Sequence, residues 1–149
     1  MRAVVQRVIR SSVAVDDITI GEIGKGYTVL LGISTEDTQK DLDYIAEKLC
    51  TLRLFDDENG VMNRSITEAA AQMLIISQFT LYGDARRGRR PSYIHAKKGS
   101  EAEGLYEQLI AAVRARGIPV ACGRFGATME VTIVNDGPVT ILLDSTKLF

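Results

Sequence analysis

Apolar and polar positions alternate over short spans through the first part of the chain. Val4, Val5 and Val8 are followed by Val13 and Val15 and then by Ile18, Ile20 and Ile23, with glycines at 21, 24 and 26 as punctuation. A period of two predicts antiparallel strands joined by tight turns, and the run Tyr27-Thr28-Val29-Leu30-Leu31-Gly32-Ile33 reads as a buried strand. The period then lengthens. Leu42, Ile45, Ala46 and Leu49 fall on one helical face behind Thr38-Gln39-Lys40-Asp41, which has the form of a helix start. Leu52-Arg53-Leu54-Phe55 predicts a strand ended by the turn residues Asp56-Asp57-Glu58-Asn59-Gly60, and Met73-Leu74-Ile75-Ile76 another strand. Ser100-Glu101-Ala102-Glu103 matches a capping box, with Leu105, Tyr106, Leu109, Ile110 and Val113 on the face behind it and Gly117 and Pro119 as the stop. Three apolar segments follow: Ile118 to Ala121, Thr128 to Val134 and Val139 to Leu143.

With no repeat and no linker, the pattern predicts a single α/β domain over residues 1–149, with a mainly antiparallel sheet and two principal helices. A parallel doubly wound sheet is disfavoured, because most strand pairs have no helical crossover between them. Apolar residues at 46% and charged residues at 25% fit an ordinary globular core. No stretch reaches the roughly 18 apolar residues of a membrane span. The first residues lack the apolar run of a secretory signal, so a cytoplasmic protein with no membrane partner is expected, with Cys50 and Cys122 reduced.

Net charge is only −1, but its distribution is uneven. Between Asp84 and Lys98 lie Arg86, Arg87, Arg89, Arg90, Lys97 and Lys98 against one acid, a local +5. Such a segment is an ordinary solvated loop or, with Gly88, Pro91, Ser92 and Tyr93 interleaved, a loop that tracks phosphates.

Two segments set polar groups against the ends of strongly apolar strands. Ser77-Gln78-Phe79-Thr80 closes the run ending at Ile76, and Asn135-Asp136-Gly137-Pro138-Val139-Thr140 interrupts the two last apolar segments. Taken by themselves, the first is a solvated strand end and the second a hairpin turn, since Asp-Gly and Pro are turn formers. The chemical alternative for the first is an acyl-transfer site, with a hydroxyl and adjacent amides that stabilise an oxyanion. A Ser or Thr nucleophile there would need a base. The single histidine, His95, lies in the basic segment and no G-x-S-x-G elbow is present, which disfavours a Ser-His-Asp hydrolase. Asp56 to Gly60 lacks the ligand spacing of a calcium loop, and no metal or other cofactor is expected.

These segments, together with Met1-Arg2-Ala3-Val4-Val5-Gln6-Arg7-Val8, Ile23 to Gly26, Leu52 to Phe55, Arg90-Pro91-Ser92-Tyr93 and Gly123-Arg124-Phe125-Gly126-Ala127 with Met129, resemble the D-aminoacyl-tRNA deacylase family over almost the whole chain. The resemblance implies a cofactor-free homodimer that hydrolyses the ester of D-aminoacyl-tRNA and also clears glycyl-tRNA(Ala). It implies a chiral filter at Gly137-Pro138, with a cis peptide inserted into the partner's site, supported by Arg7 and Met129. Ser77, Gln78, Phe79 and Thr80 would form the catalytic pocket, with either Thr80 or the tRNA 2′-hydroxyl driving the chemistry and the hydroxyl favoured. Arg86, Arg87, Arg89, Arg90, Lys97 and Lys98 are the expected tRNA-binding residues. Two departures are the surplus of Arg in residues 86–90 and Cys122, where Thr is frequent in the family. Two rival readings are a noncatalytic RNA-binding module and a structural dimer whose polar strand ends only form its interface.

Overall fold

The computed structural model describes residues 1–148. Strand β1 (Arg2–Val15) turns at Asp16-Asp17 into β2 (Ile18–Ile23), which passes through Gly24-Lys25 into β3 (Gly26–Gly32). The pairings Val13 with Gly21, Ser11 with Ile23, Val8 with Gly26 and Arg2 with Gly32 keep one register, so β2 and β3 form a single antiparallel arm along one edge of β1. Helix α1 (Gln39–Thr51), the hairpin β4 (Arg53–Asp56) and β5 (Met62–Ser65), and β6 (Gln72–Ser77) follow. Then come a 3₁₀ turn (Phe79–Tyr82), helix α2 (Gly99–Arg114), β7 (Val120–Cys122) and β8 (Glu130–Asp144).

The expected α/β domain with two helices is present, but its sheet is mixed. β6 lies parallel to β3, and β7 parallel to β6, each reached through a connection containing a helix. The antiparallel half is β1 with its arm and with β8.

β6 is buried on both faces, which explains its unbroken apolar run. Met73 and Ile75 face a core shared with Leu42, Ile45 and Leu49 of α1 and Tyr106, Leu109 and Val113 of α2. Leu74 and Ile76 face a second cluster with Val8, Val13 and Ile23, against which Met129, Val131 and Ile133 of the β8 region pack. Each fully buried aliphatic side chain in these layers stabilises the fold by about 1.5–3 kcal/mol relative to exposure. The β4–β5 hairpin forms a separate two-stranded sheet, and Phe55 of β4 stacks on Tyr27 of β3 with ring centroids 4.9 Å apart. Among the described residues no helix is long and apolar enough to cross a membrane, and the two cysteines are free thiols.

Three local expectations change. The segments 128–134 and 139–143 are not separate strands joined by a hairpin; residues 130–134 and 140–143 belong to one strand, β8, and both stretches pair with β1 in the same direction. Asn135 stands opposite Val8 and Thr140 opposite Gln6, so residues 136–139 bulge from a continuous strand. Helix α2 begins at Gly99 rather than behind a Ser100 cap, and Glu101 pairs with Lys97 at 3.8 Å. β5 has an exposed, polar sequence and forms by pairing with β4.

Candidate active site

β6 carries Ser77 to the edge of the core, where the Gln78 amide donates to the Leu31 carbonyl at 2.7 Å and the chain turns into the 3₁₀ segment. Gly32 permits that turn to sit on β3. A Cβ there would lie 3.0 Å from Leu81 Cβ and 3.1 Å from the Gln78 carbonyl oxygen.

Ser77, Gln78 and Phe79 face a cavity of about 640 Å³. Its other walls include Tyr93 and Lys97, the start of α2 at Lys98, Gly99 and Ala102, and Phe125 and Met129. Phe79 packs edge-on against Tyr93, with centroids 5.1 Å apart at 72°. Phe125 packs on Tyr106, whose hydroxyl donates to the Ile75 carbonyl at 2.7 Å. Burial pushes the Tyr106 phenol well above its ordinary range, so it is a neutral structural donor.

Thr80 is exposed and does not line this cavity; its hydroxyl accepts from the Gln78 side-chain amide. The first 3₁₀ bond runs from the Leu81 amide to the Gln78 carbonyl, so the preceding Phe79 and Thr80 amides lie outside the turn's own ladder. Among the described residues the cavity lining contains no carboxylate and no imidazole. His95 lines a neighbouring cavity with Arg2, Tyr82 and Arg86. Also among the described residues, no group of three or more His, Cys, Asp or Glu is placed to hold a metal ion.

The basic residues divide. Lys97 and Lys98 line the main cavity. Arg86 is held by Asp84 through contacts of 2.9 and 2.7 Å, and the Arg86 side chain in turn keeps the Asp84 carboxyl well below its ordinary range. Arg87, Arg89 and Arg90 are exposed and line neither of these cavities.

Arg7, Gly137 and Pro138 form a second group, away from the cavity lining. The Gly137–Pro138 peptide is cis, and both residues are exposed at the tip of the β8 bulge. Gly137 has φ +117, and a Cβ there would lie 2.7 Å from Val139 Cγ2, so only glycine fits without rearrangement. The neck of the bulge is closed by Asn135, whose Nδ2 donates to the Arg7 carbonyl at 2.8 Å and the Val139 carbonyl at 3.0 Å. The Arg7 side chain is almost completely buried and faces Asp136 at 3.0 Å and Asp56 at 3.1 Å.

Thus one chain brings Ser77, Gln78, Phe79, Met129, Lys97 and Lys98 together and sets Arg7, Gly137 and Pro138 apart. Phe125, Ala102, Asp56 and Asp136 are site neighbours that sequence reasoning gave no role. Phe125 lay within a family-like run, whereas Asp56 carried only the signal of a turn former.

A mixed sheet, with a mainly apolar cavity edged by aromatic rings and two lysines at the mouth of β6, defines an α/β domain with a concave site of ligand-binding size. The family model described as D-Tyr-tRNA(Tyr) deacylase matches residues 4–144, and the chain belongs to this family. It is 55% identical over 149 residues to the D-aminoacyl-tRNA deacylase of Clostridium botulinum (strain Eklund 17B), and 56% identical to that of Clostridium beijerinckii, each alignment covering all of both chains. Among solved structures, one named c-Myc DNA Unwinding Element Binding Protein superposes with TM-score 0.91 at 44% identity, covering 97% of this chain and 98% of that one. A second, described as a probable eukaryotic D-amino acid tRNA deacylase, has TM-score 0.81 at 20% identity over 95% and 97% of the two chains, and shares the fold.

Proposed function

We propose that this protein hydrolyses the ester bond of D-aminoacyl-tRNA, with the terminal aminoacyl-adenosine held in the cavity at the end of β6. The observation that carries the reading is the strand end Ser77-Gln78-Phe79, with two half-buried polar side chains and an exposed ring, opening on a cavity with aromatic walls and lined by two lysines. Phe125 and Tyr93 offer surfaces for a base, and the lysines offer charge to the adjoining phosphate. The amides of Phe79 and Thr80 are the donors for an oxyanion at the ester carbonyl. Because the lining supplies no side-chain base, the ribose 2′-hydroxyl assists the attack of water. This accords with Thr80 being turned toward Gln78.

The Gly137–Pro138 tip acts as the chiral filter in a partner's cavity. Support comes from its exposure and its separation from its own chain's cavity. Exposed Ile9 and Leu142 and the outer edge of β8 offer surface for a second copy, and a homodimer with composite sites results. Main-chain carbonyls at the tip capture the α-amino group and leave no room for an L side chain. Glycine has nothing to exclude, so glycyl-tRNA(Ala) is also a substrate. A cytoplasmic location follows from a tRNA substrate.

The test is hydrolysis of matched D-Tyr-tRNA and L-Tyr-tRNA by the purified protein and its Gly137→Ala variant, with a chelator control. Chelator-insensitive loss of the D-ester alone, abolished in the variant, is expected. Inertness toward both esters with salt-sensitive RNA binding retained would replace the enzyme reading with a noncatalytic nucleic-acid-binding module.

A further inference from the structure

We infer that Asp56, on the β4–β5 hairpin, is a positioning residue for the Gly137–Pro138 tip and acts on it through the Arg7 guanidinium. The inference rests on the filter reading above. Residues 136–139 lie outside the β1–β8 ladder, so their backbone is not positioned by strand pairing. Asn135 closes the neck of the bulge but does not reach its tip. At the tip the neighbour is Arg7, whose Nη2 lies 3.3 Å from where a Gly137 Cβ would be.

The guanidinium is held from two sides. Nη1 donates to the Leu54 carbonyl at 2.7 Å and to Asp56 Oδ1 at 3.1 Å, both on β4. Nε lies 3.0 Å from Asp136 Oδ2, a close ion pair that is not aligned as a hydrogen bond. Arg7 itself is rooted in β1, with its side chain only 8% exposed, and a buried cation needs counter-charge as well as acceptors. Asp136 belongs to the unpaired bulge and can follow the guanidinium, whereas Asp56 belongs to a paired strand fixed by the Phe55–Tyr27 stack. Asp56 therefore supplies the fixed charge that sets where the planar donor fork points, and Asp136 and the tip take their position from it. The β4–β5 hairpin, which contributes nothing to the cavity, acquires a function as the abutment of the filter.

Asp56→Asn preserves shape and removes the charge. Because the Asp56 side chain is 49% exposed, the pair is screened and the effect is modest. A fall of about fivefold in kcat/KM for the D-ester is expected, together with a narrowed D-to-L ratio. The fall is restored by Asp56→Glu and absent when Asp56→Asn is added to Arg7→Lys. Amide hydrogen exchange at Asp136, Gly137 and Val139 reads position independently of activity, and is expected to quicken in Asp56→Asn while α1 and α2 are unchanged. Unchanged exchange there, or quickened exchange with an unchanged D-to-L ratio in an enzyme whose Gly137→Ala variant has lost discrimination, overturns the inference. If Gly137→Ala itself discriminates normally, the filter reading fails, while quickened exchange in Asp56→Asn still establishes the mechanical link.

Discussion

The Gln78 side-chain amide donates to the Thr80 hydroxyl, two residues on. One lone pair of the Thr80 oxygen is therefore engaged by Gln78, Thr80 does not line the cavity, and among the described residues no imidazole or carboxylate lines that cavity to take its proton. This arrangement suits a residue that orients Gln78. A Thr nucleophile removed by mutation costs the reaction on the order of a thousandfold or more, as for other covalent catalysts. Thr80→Val is expected to keep single-turnover deacylation within about tenfold of the parent, the scale of a lost positioning contact. A thousandfold loss with native thermal stability would restore Thr80 as the nucleophile.

Gly32 makes a separate, structural claim on the same site. An added methyl at that position meets Leu81 Cβ at 3.0 Å, the Gln78 carbonyl oxygen at 3.1 Å and Tyr82 at 3.2 Å, so the 3₁₀ turn must lift from β3. Gly32→Ala is expected to destabilise by about 1–3 kcal/mol, as overpacking does. It should also lower kcat, since the displaced turn carries Phe79 and Thr80. Thermal melts alongside single-turnover rates check this, and an unchanged rate would mean that the amides of this turn take no part in the reaction.

The elements most legible in the sequence were those whose burial imposes a period. α1 was readable because Leu42, Ile45, Ala46 and Leu49 must share one face, and β6 because a strand covered on both sides is apolar throughout. β5 gave no signal, because Met62-Asn63-Arg64-Ser65 is mostly exposed and is a strand only by pairing with β4. The β8 bulge was misread as a hairpin for a physical reason. Asn-Asp-Gly-Pro suits any abrupt backbone excursion, and only the common partner β1 distinguishes a bulge from a reversal. The cavity was half legible, since Ser77 to Phe79 stand at the end of an apolar strand. Asp56 was not, because its significance is its distance from Arg7, a residue 49 positions away in sequence.

Acid sensitivity should begin at the start of α1. Burial opposes ionisation of Asp41, but this is outweighed by bonds from the Thr38 amide at 2.9 Å, the Ser145 hydroxyl at 2.7 Å and the Thr38 hydroxyl at 2.8 Å. The carboxyl titrates at about 2, below its ordinary 3.8. A depressed carboxylate stabilises the fold fully above its unfolded value, and the contribution is lost as pH falls through the folded value. The denaturant midpoint should therefore drop between pH about 4 and 2, and Asp41→Asn should flatten that part of the profile. An identical slope in the variant would assign the acid response to other carboxylates, such as Asp144, which Thr146 and Arg2 also hold below its usual range against the opposing effect of burial.

The final prediction separates the two kinds of cation in the basic segment. Lys97 and Lys98 line the cavity, Arg86 is held by Asp84, and Arg87 and Arg89 are exposed with no contact to either cavity. A residue that meets a phosphate next to the bound adenosine releases counterion, so each such contact steepens the salt dependence by about 0.7 on a log–log plot for single-stranded RNA. Lys97→Ala with Lys98→Ala should lower kcat/KM most at low salt and reduce the slope by about 1.4, two contacts' worth. Arg87→Ala with Arg89→Ala removes the same charge from nearby and should leave the slope nearly unchanged. Measuring kcat/KM from low to physiological salt decides between them. A slope that falls with the arginines and not with the lysines would move the path of the RNA from the rim of the cavity to the outer loop.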